Sequence, residues 1–159
     1  MQSDCIKVLY EIGELRPSLI ADFRANFVEL LGSKNNRMVW GAMTALDTIT
    51  LEDPGAVYAT LARIVAAADG GSVITKDHAV SIMIKLCSIE QYSNKTFPML
   101  LDQLRRCSTN QLPMYAEKAI PIISDENRAF FIETLSLRLD GMQKESKRRR
   151  IEKVIRRVS

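Results

Sequence analysis

Apolar residues recur along this chain with the period of a helix. In NRMVWGAMTALDTIT, Ala42, Ala45, Leu46 and Ile49 stand at i, i+3, i+4 and i+7, which is one helical face. The quartet returns as Val80, Met83, Ile84 and Cys87, then as Ala116, Ala119, Ile120 and Ile123, then as Ile151, Val154, Ile155 and Val158; Cys5, Val8, Leu9 and Ile12 precede it. The steps between copies are 37, 38, 36 and 35 residues. A recurrence of that length predicts a helical repeat array, because one helix pair of this size cannot bury both its apolar faces alone.

Between the stripe helices lie segments with larger apolar residues. They carry Leu19, Ile20, Phe23, Phe27, Leu30 and Leu31; Val57, Leu61, Ile64 and Val65; Phe97, Leu100, Leu101 and Leu104; and Phe130, Phe131, Leu135 and Leu139. Punctuation falls between them: Pro17, Gly32-Ser33, Pro54-Gly55, Gly70-Gly71, Pro98, Ser108-Thr109, Pro113, Ser124 to Asn127 and Gly141. The pattern predicts nine helices, over residues 3–15, 17–31, 36–50, 54–68, 75–89, 97–107, 113–123, 127–139 and 143–158. Short loops make consecutive helices antiparallel. The expected fold is all-α, a right-handed α-solenoid of four to five repeats, with residues 1–159 forming one domain. The array opens on a half repeat, a stripe helix without its partner. That helix is expected to be capped by a neighbouring segment of a longer chain or to meet another subunit.

Composition narrows the functional classes. The chain is 47% hydrophobic and only 6% aromatic, a mixture that suits packed helices better than strands. No segment approaches the roughly 18 uninterrupted apolar residues of a membrane span. Asp4, Lys7 and Glu11 interrupt the N-terminal apolar pattern, which excludes a signal peptide, so a soluble cytoplasmic protein with no membrane association is expected. Cys5, Cys87 and Cys107 are widely and irregularly spaced and are expected to be reduced thiols. With a single His, no metal cluster is expected, and no cofactor.

At NRMVWGAMTALDTI the chain resembles the second helix of a HEAT repeat, in which a basic residue, an aromatic and alternating alanines precede a Leu and an Ile. GGSVITKDHAVSIMIKL and LDQLRRCSTNQLPMYAEKAI further resemble an uncharacterised group of prokaryotic HEAT-repeat proteins. The resemblance covers nearly the whole chain and implies an armadillo-like α-solenoid that binds partners and shares no catalytic motif. It also implies that the second helices line a concave groove. At 100° per residue, that groove takes Trp40, Thr44 and Asp47, then His78, Ile82 and Lys85, then Met114 and Lys118. The family's Asp–Arg ladder has Asp47 and Lys85 at its first two places and Pro121 at the third.

Candidate chemistry is sparse. His78, beside Asp77, lacks a nucleophile at fitting spacing. Trp40 and Asp47 agree in residue type with the aromatic-lined, Asp-bearing cleft of HEAT-fold alkyl-base DNA glycosylases. Gly70-Gly71 lacks the Lys-Ser/Thr of a phosphate loop. Charge is uneven. The stretch from Lys144 to Arg157 carries eight basic and two acidic residues, a local +6, against +3 for the whole chain. Lys147, Arg148, Arg149, Arg150, Lys153, Arg156 and Arg157 form a basic patch able to meet phosphates. The leading expectation is a non-enzymatic interaction module with a protein in its groove. The alternative is nucleic-acid binding through the basic C-terminal helix.

Overall fold

The computed structural model describes residues 2–159, with side chains from Asp4 onward. Ten α-helices account for the chain, and no strand occurs among the described residues: α1 (Gln2–Leu15), α2 (Arg24–Leu30), α3 (Asn36–Ile49), α4 (Pro54–Ala59), α5 (Leu61–Asp69), α6 (Val73–Cys87), α7 (Glu90–Arg106), α8 (Leu112–Ala119), α9 (Arg128–Leu139) and α10 (Glu145–Val158). Within each unit, adjacent helices make antiparallel contacts. The chain divides into two compact units, Met1–Leu86 and Cys87–Ser159.

The boundaries follow local chemistry, and several depart from expectation. The helix expected over residues 17–31 begins as two 3-10 turns, Pro17–Leu19 and Ala21–Phe23, and only then becomes α2. Burial of Ile20 fixes that turn inward and leaves Phe23 and Leu19 exposed, although all three were expected on one inward face. The helix expected over 54–68 breaks at Thr60, whose hydroxyl donates to the Val57 carbonyl at 2.9 Å and competes with the backbone ladder. Pro98 does not open its helix; α7 starts at Glu90 and carries the exposed proline inside. Burial of Thr96 and Phe97 holds the preceding turns helical. Two caps behave as their sequence suggests. Asn35 accepts from the Arg37 amide at 3.0 Å, and Asp53 accepts from the Ala56 amide at 3.3 Å ahead of Pro54.

In the first unit α3 is the central element. Ala42, Ala45, Leu46 and Ile49 are fully buried, each Leu or Ile worth about 1.5–3 kcal/mol of hydrophobic transfer. The α1 helix packs against α3 through two glycines. A Cβ on Gly41 would lie 2.8 Å from Ile6 Cγ1, and one on Gly13 would lie 2.3 Å from Thr48 Oγ1. Ile6 to Gly41 and Gly13 to Thr48 are both offsets of 35 residues, so α1 and α3 run in the same direction. This corrects the expected α1 stripe. Its packed face is Ile6 and Gly13, rotated by one residue, while Cys5 is exposed and Val8 is 53% exposed. The close approach is available only at glycine, so the glycines, not the largest side chains, choose the face.

The second unit has two pairs of alternate helices, α7 beside α9 and α8 beside α10. Tyr115, Ala116 and Ala119 of α8 and Ile151 and Val154 of α10 are buried, as is Phe131 of α9. Ile120, Ile123, Ile155 and Val158, expected on buried stripes, are only half-buried. Pro121 has no N–H, and α8 gives way at Ile120 to a 3-10 turn.

Candidate functional site

Three expected groove residues meet in the first unit. Asp47, 8% exposed, projects from α3 toward α6. His78 Nδ1 lies 2.8 Å from its Oδ2, and the Lys85 ammonium lies 2.8 Å from its Oδ1. Lys85 also donates to the Asp47 carbonyl at 2.6 Å. Burial alone would push the Asp47 carboxyl up; the His78 hydrogen bond, the Lys85 charge and hydrogen bond, and a hydrogen bond with Ser81 outweigh it and hold the group below its ordinary value. The cluster is therefore an ionised carboxylate clamped between two helices. His78 and Lys85 keep about a third of their side chains in solvent, and Asp47 does not.

The other members of that row separate. Trp40 is half-buried and rests against Tyr10 of α1, ring centroids 5.7 Å apart and planes at 50°. Thr44 is buried, its hydroxyl donating to the Trp40 carbonyl at 2.8 Å. Ile82 was expected as an exposed apolar contact and is 0% exposed, part of the α6 core. Placement at 100° per residue missed this because α6 is covered on more than one face: Ala79, Val80, Ile82, Met83 and Leu86 are all buried. In the second unit Met114 is half-buried and Lys118 exposed.

The basic patch is partly neutralised within its own unit. Arg150 makes two hydrogen bonds to Glu117 of α8, at 2.7 and 2.6 Å. Arg149 pairs with Glu145 at 3.0 Å and Arg148 with Glu152 at 3.3 Å, both one helical turn apart, and Lys147 bonds the Asn110 side chain. The Arg150 bonds lead in holding the Glu117 carboxyl below its ordinary value. Lys153, Arg156 and Arg157 remain exposed and without an ion-pair partner among the described residues. With Glu117, Arg150 and Val154, two of them (Lys153 and Arg157) line a shallow cleft of about 290 Å³ between α8 and α10.

Sequence reasoning missed a larger concavity than this one. A groove of about 500 Å³ runs along α7 to the start of α9, with Phe97 and Leu101 as its floor and Phe130 at its rim. Phe130 was expected inward with Phe131; it is 57% exposed. The buried side of α9 is that of Phe131, Thr134 and Leu135, at i, i+3 and i+4, and Phe130 lies one residue off it. The available signal was the spacing of Asn94, Phe97, Pro98, Leu101 and Arg105, one face of α7 at i, i+3, i+4, i+7 and i+11.

Among the described residues no group of three or more His, Cys, Asp or Glu side chains could hold a metal ion, and no helix is long and apolar enough to cross a membrane. No family model, curated protein or solved structure matches the chain.

Proposed function

We propose that the chain is a HEAT-like α-solenoid acting as a non-enzymatic interaction module that binds a protein partner on its repeat surface. The observation that carries this reading is contact at one-repeat offsets in both units. Ile6 covers Gly41 and Gly13 meets Thr48 at 35 residues. Lys85 reaches Asp47 at 38, Arg138 reaches Leu104 at 34, and Arg150 reaches Glu117 at 33. Stacking of successive equivalent helices is what a solenoid requires. Asp47, the carboxylate a base-excision reading would need free, is occupied as a brace between α3 and α6.

The test is capture of a partner from the native host by crosslinking, repeated with Lys118→Glu and Trp40→Ala. Loss of the crosslink with unchanged helicity supports the surface. A partner retained by both variants sinks the groove assignment. A second reading, nucleic-acid binding, draws on the exposed cations Lys153, Arg156 and Arg157. Replacing all three by Ala should then flatten the dependence of affinity on salt, by a slope of about 0.7–0.9 per phosphate contact removed. An unchanged slope removes that reading.

A further inference from the structure

The groove along α7 belongs to neither the row of residues clustered at Asp47 nor the basic cleft of α8 and α10. In it, exposed aromatic surface converges with charges of both signs that have no ion-pair partner among the described residues. Phe97 and Leu101 are nearly buried and form a packed floor, Pro98 is exposed beside them, and Phe130 stands over it with more than half its surface in water. A Phe so placed on a helix leaves apolar area uncovered where Ser, Glu or Lys would cost nothing in stability.

Charge and length add what the apolar floor cannot. Arg105 lies at the C-terminal end of α7, and Glu126 lies just before α9. Both are exposed, and neither has an ion-pair partner among the described residues. Arg138, near the end of α9, reaches the last carbonyls of α7, so the two helices run the same way and their starts lie together. Glu126 thus enters at the Asn94 end and Arg105 at the other. From Asn94 to Arg105 the helix rises about 16 Å, the span of roughly five extended residues. A single small amphiphile does not cover that distance with one apolar body and two charged ends. A stretch of polypeptide does.

We infer that this groove binds a short peptide segment of a partner protein, with a large apolar side chain between Phe97 and Phe130, a carboxylate on Arg105 and a cation near Glu126. The site goes beyond the surface carrying Lys118, being built on the α7 and α9 helices rather than on α8 and α10. The guanidinium offers a forked donor pair to the carboxylate, and the exposed Phe130 ring with Pro98 supplies most of the apolar area. Affinity comes from the apolar anchor, and the opposed charges set the direction in which the segment lies.

Fluorescence anisotropy on the full chain tests it, with labelled peptides containing Lys-Leu-Phe-Leu-Glu, Glu-Leu-Phe-Leu-Glu, Lys-Leu-Phe-Leu-Lys and Lys-Ser-Ser-Ser-Glu. The first should bind best, with the serine-core peptide about tenfold weaker or worse. Phe130→Ser should weaken the first peptide by about tenfold, and Arg105→Glu should shift preference to the peptide with two lysines. Both residues are exposed, and circular dichroism checks that the variants stay folded. Failure of every peptide to saturate, or binding indifferent to core, charge and Phe130, overturns the assignment. So does decanoate binding as tightly as the best peptide, which would make the site one for a small amphiphile, or self-association abolished by Phe130→Ser, which would make the occupant a second copy. Loss of the peptide result with Lys118-dependent partner capture intact refutes this groove alone; loss of both refutes the interaction-module reading.

Discussion

Replacing Asp47 by Asn keeps the size of the side chain and removes its charge from the contact between α3 and α6. Breaking one side of a buried ion pair costs about 3–5 kcal/mol when the remaining charge has nowhere to go. Here the remaining charges have somewhere to go: the Lys85 and His78 side chains are 32% and 30% exposed and can turn to water. The expected loss therefore falls below that range, about 2–3 kcal/mol, with Asp47→Ala at the upper end of the latter. Trp40, the only tryptophan, sits on the same helix two turns away, so its fluorescence during urea unfolding reports the first unit separately from the second. Lys85→Met combined with Asp47→Asn should show a coupling of about 1–2 kcal/mol. The pH dependence has a fixed sign. The folded carboxyl titrates below its ordinary 3.8, so its contribution is fully present above that value and is lost as pH falls through the folded value. The gap between wild type and Asp47→Asn should be complete at neutral pH and close below 3.8. A gap under about 0.5 kcal/mol at neutral pH, or one that widens on acidification, refutes the account of Asp47 as a brace.

Three further outcomes follow from particular contacts. Arg138 donates to the carbonyls of Leu104 at 2.7 Å and Cys107 at 2.8 Å, and Arg138→Met should destabilise the second unit by about 2 kcal/mol, measured by urea unfolding followed by circular dichroism; an unchanged midpoint would contradict it. Gly13→Ala should lower the melting temperature despite the roughly 1 kcal/mol gain in helix propensity, because the new methyl meets Thr48 and Ile20 at 2.3 and 2.6 Å; a higher melting temperature would mean that α1 and α3 are not in such close contact. Thiol labelling under native conditions at mildly alkaline pH should modify exposed Cys5 first and leave Cys87 untouched, since burial removes access and pushes its thiol up to about 12; fast labelling of Cys87, read by peptide mass, would contradict the packing of α6.

Much of the first unit's centre was legible at the level of spacing. The quartet in α3 predicted its buried face, and the step of 38 residues put Asp47 and Lys85 at equivalent positions, where they do meet. The prediction failed where a helix is covered on several sides or on one side only. In α6 the extra cover buries Ile82, and in α1 the glycines turn the packed face by one residue. Thr48 illustrates the same limit: it lies outside the α3 quartet, yet it is half-buried against Gly13, so Thr48→Arg carries a steric cost much like that of Ala45→Arg. The charge run of α10 was visible, but its pairing with Glu117 across 33 residues was not.

The sequence alone determined that the chain is helical, that Asn35 and Asp53 cap two of its helices and how far apart equivalent helices lie, because period, capping and step length are properties of consecutive residues. Only the tertiary structure decided which faces touch. Whether Phe130 is core or surface, and whether Asp47 is a free carboxylate or a clamped one, depends on a neighbour some thirty residues away. A helix repeats its own geometry at every turn and carries no local mark of the side from which that neighbour arrives.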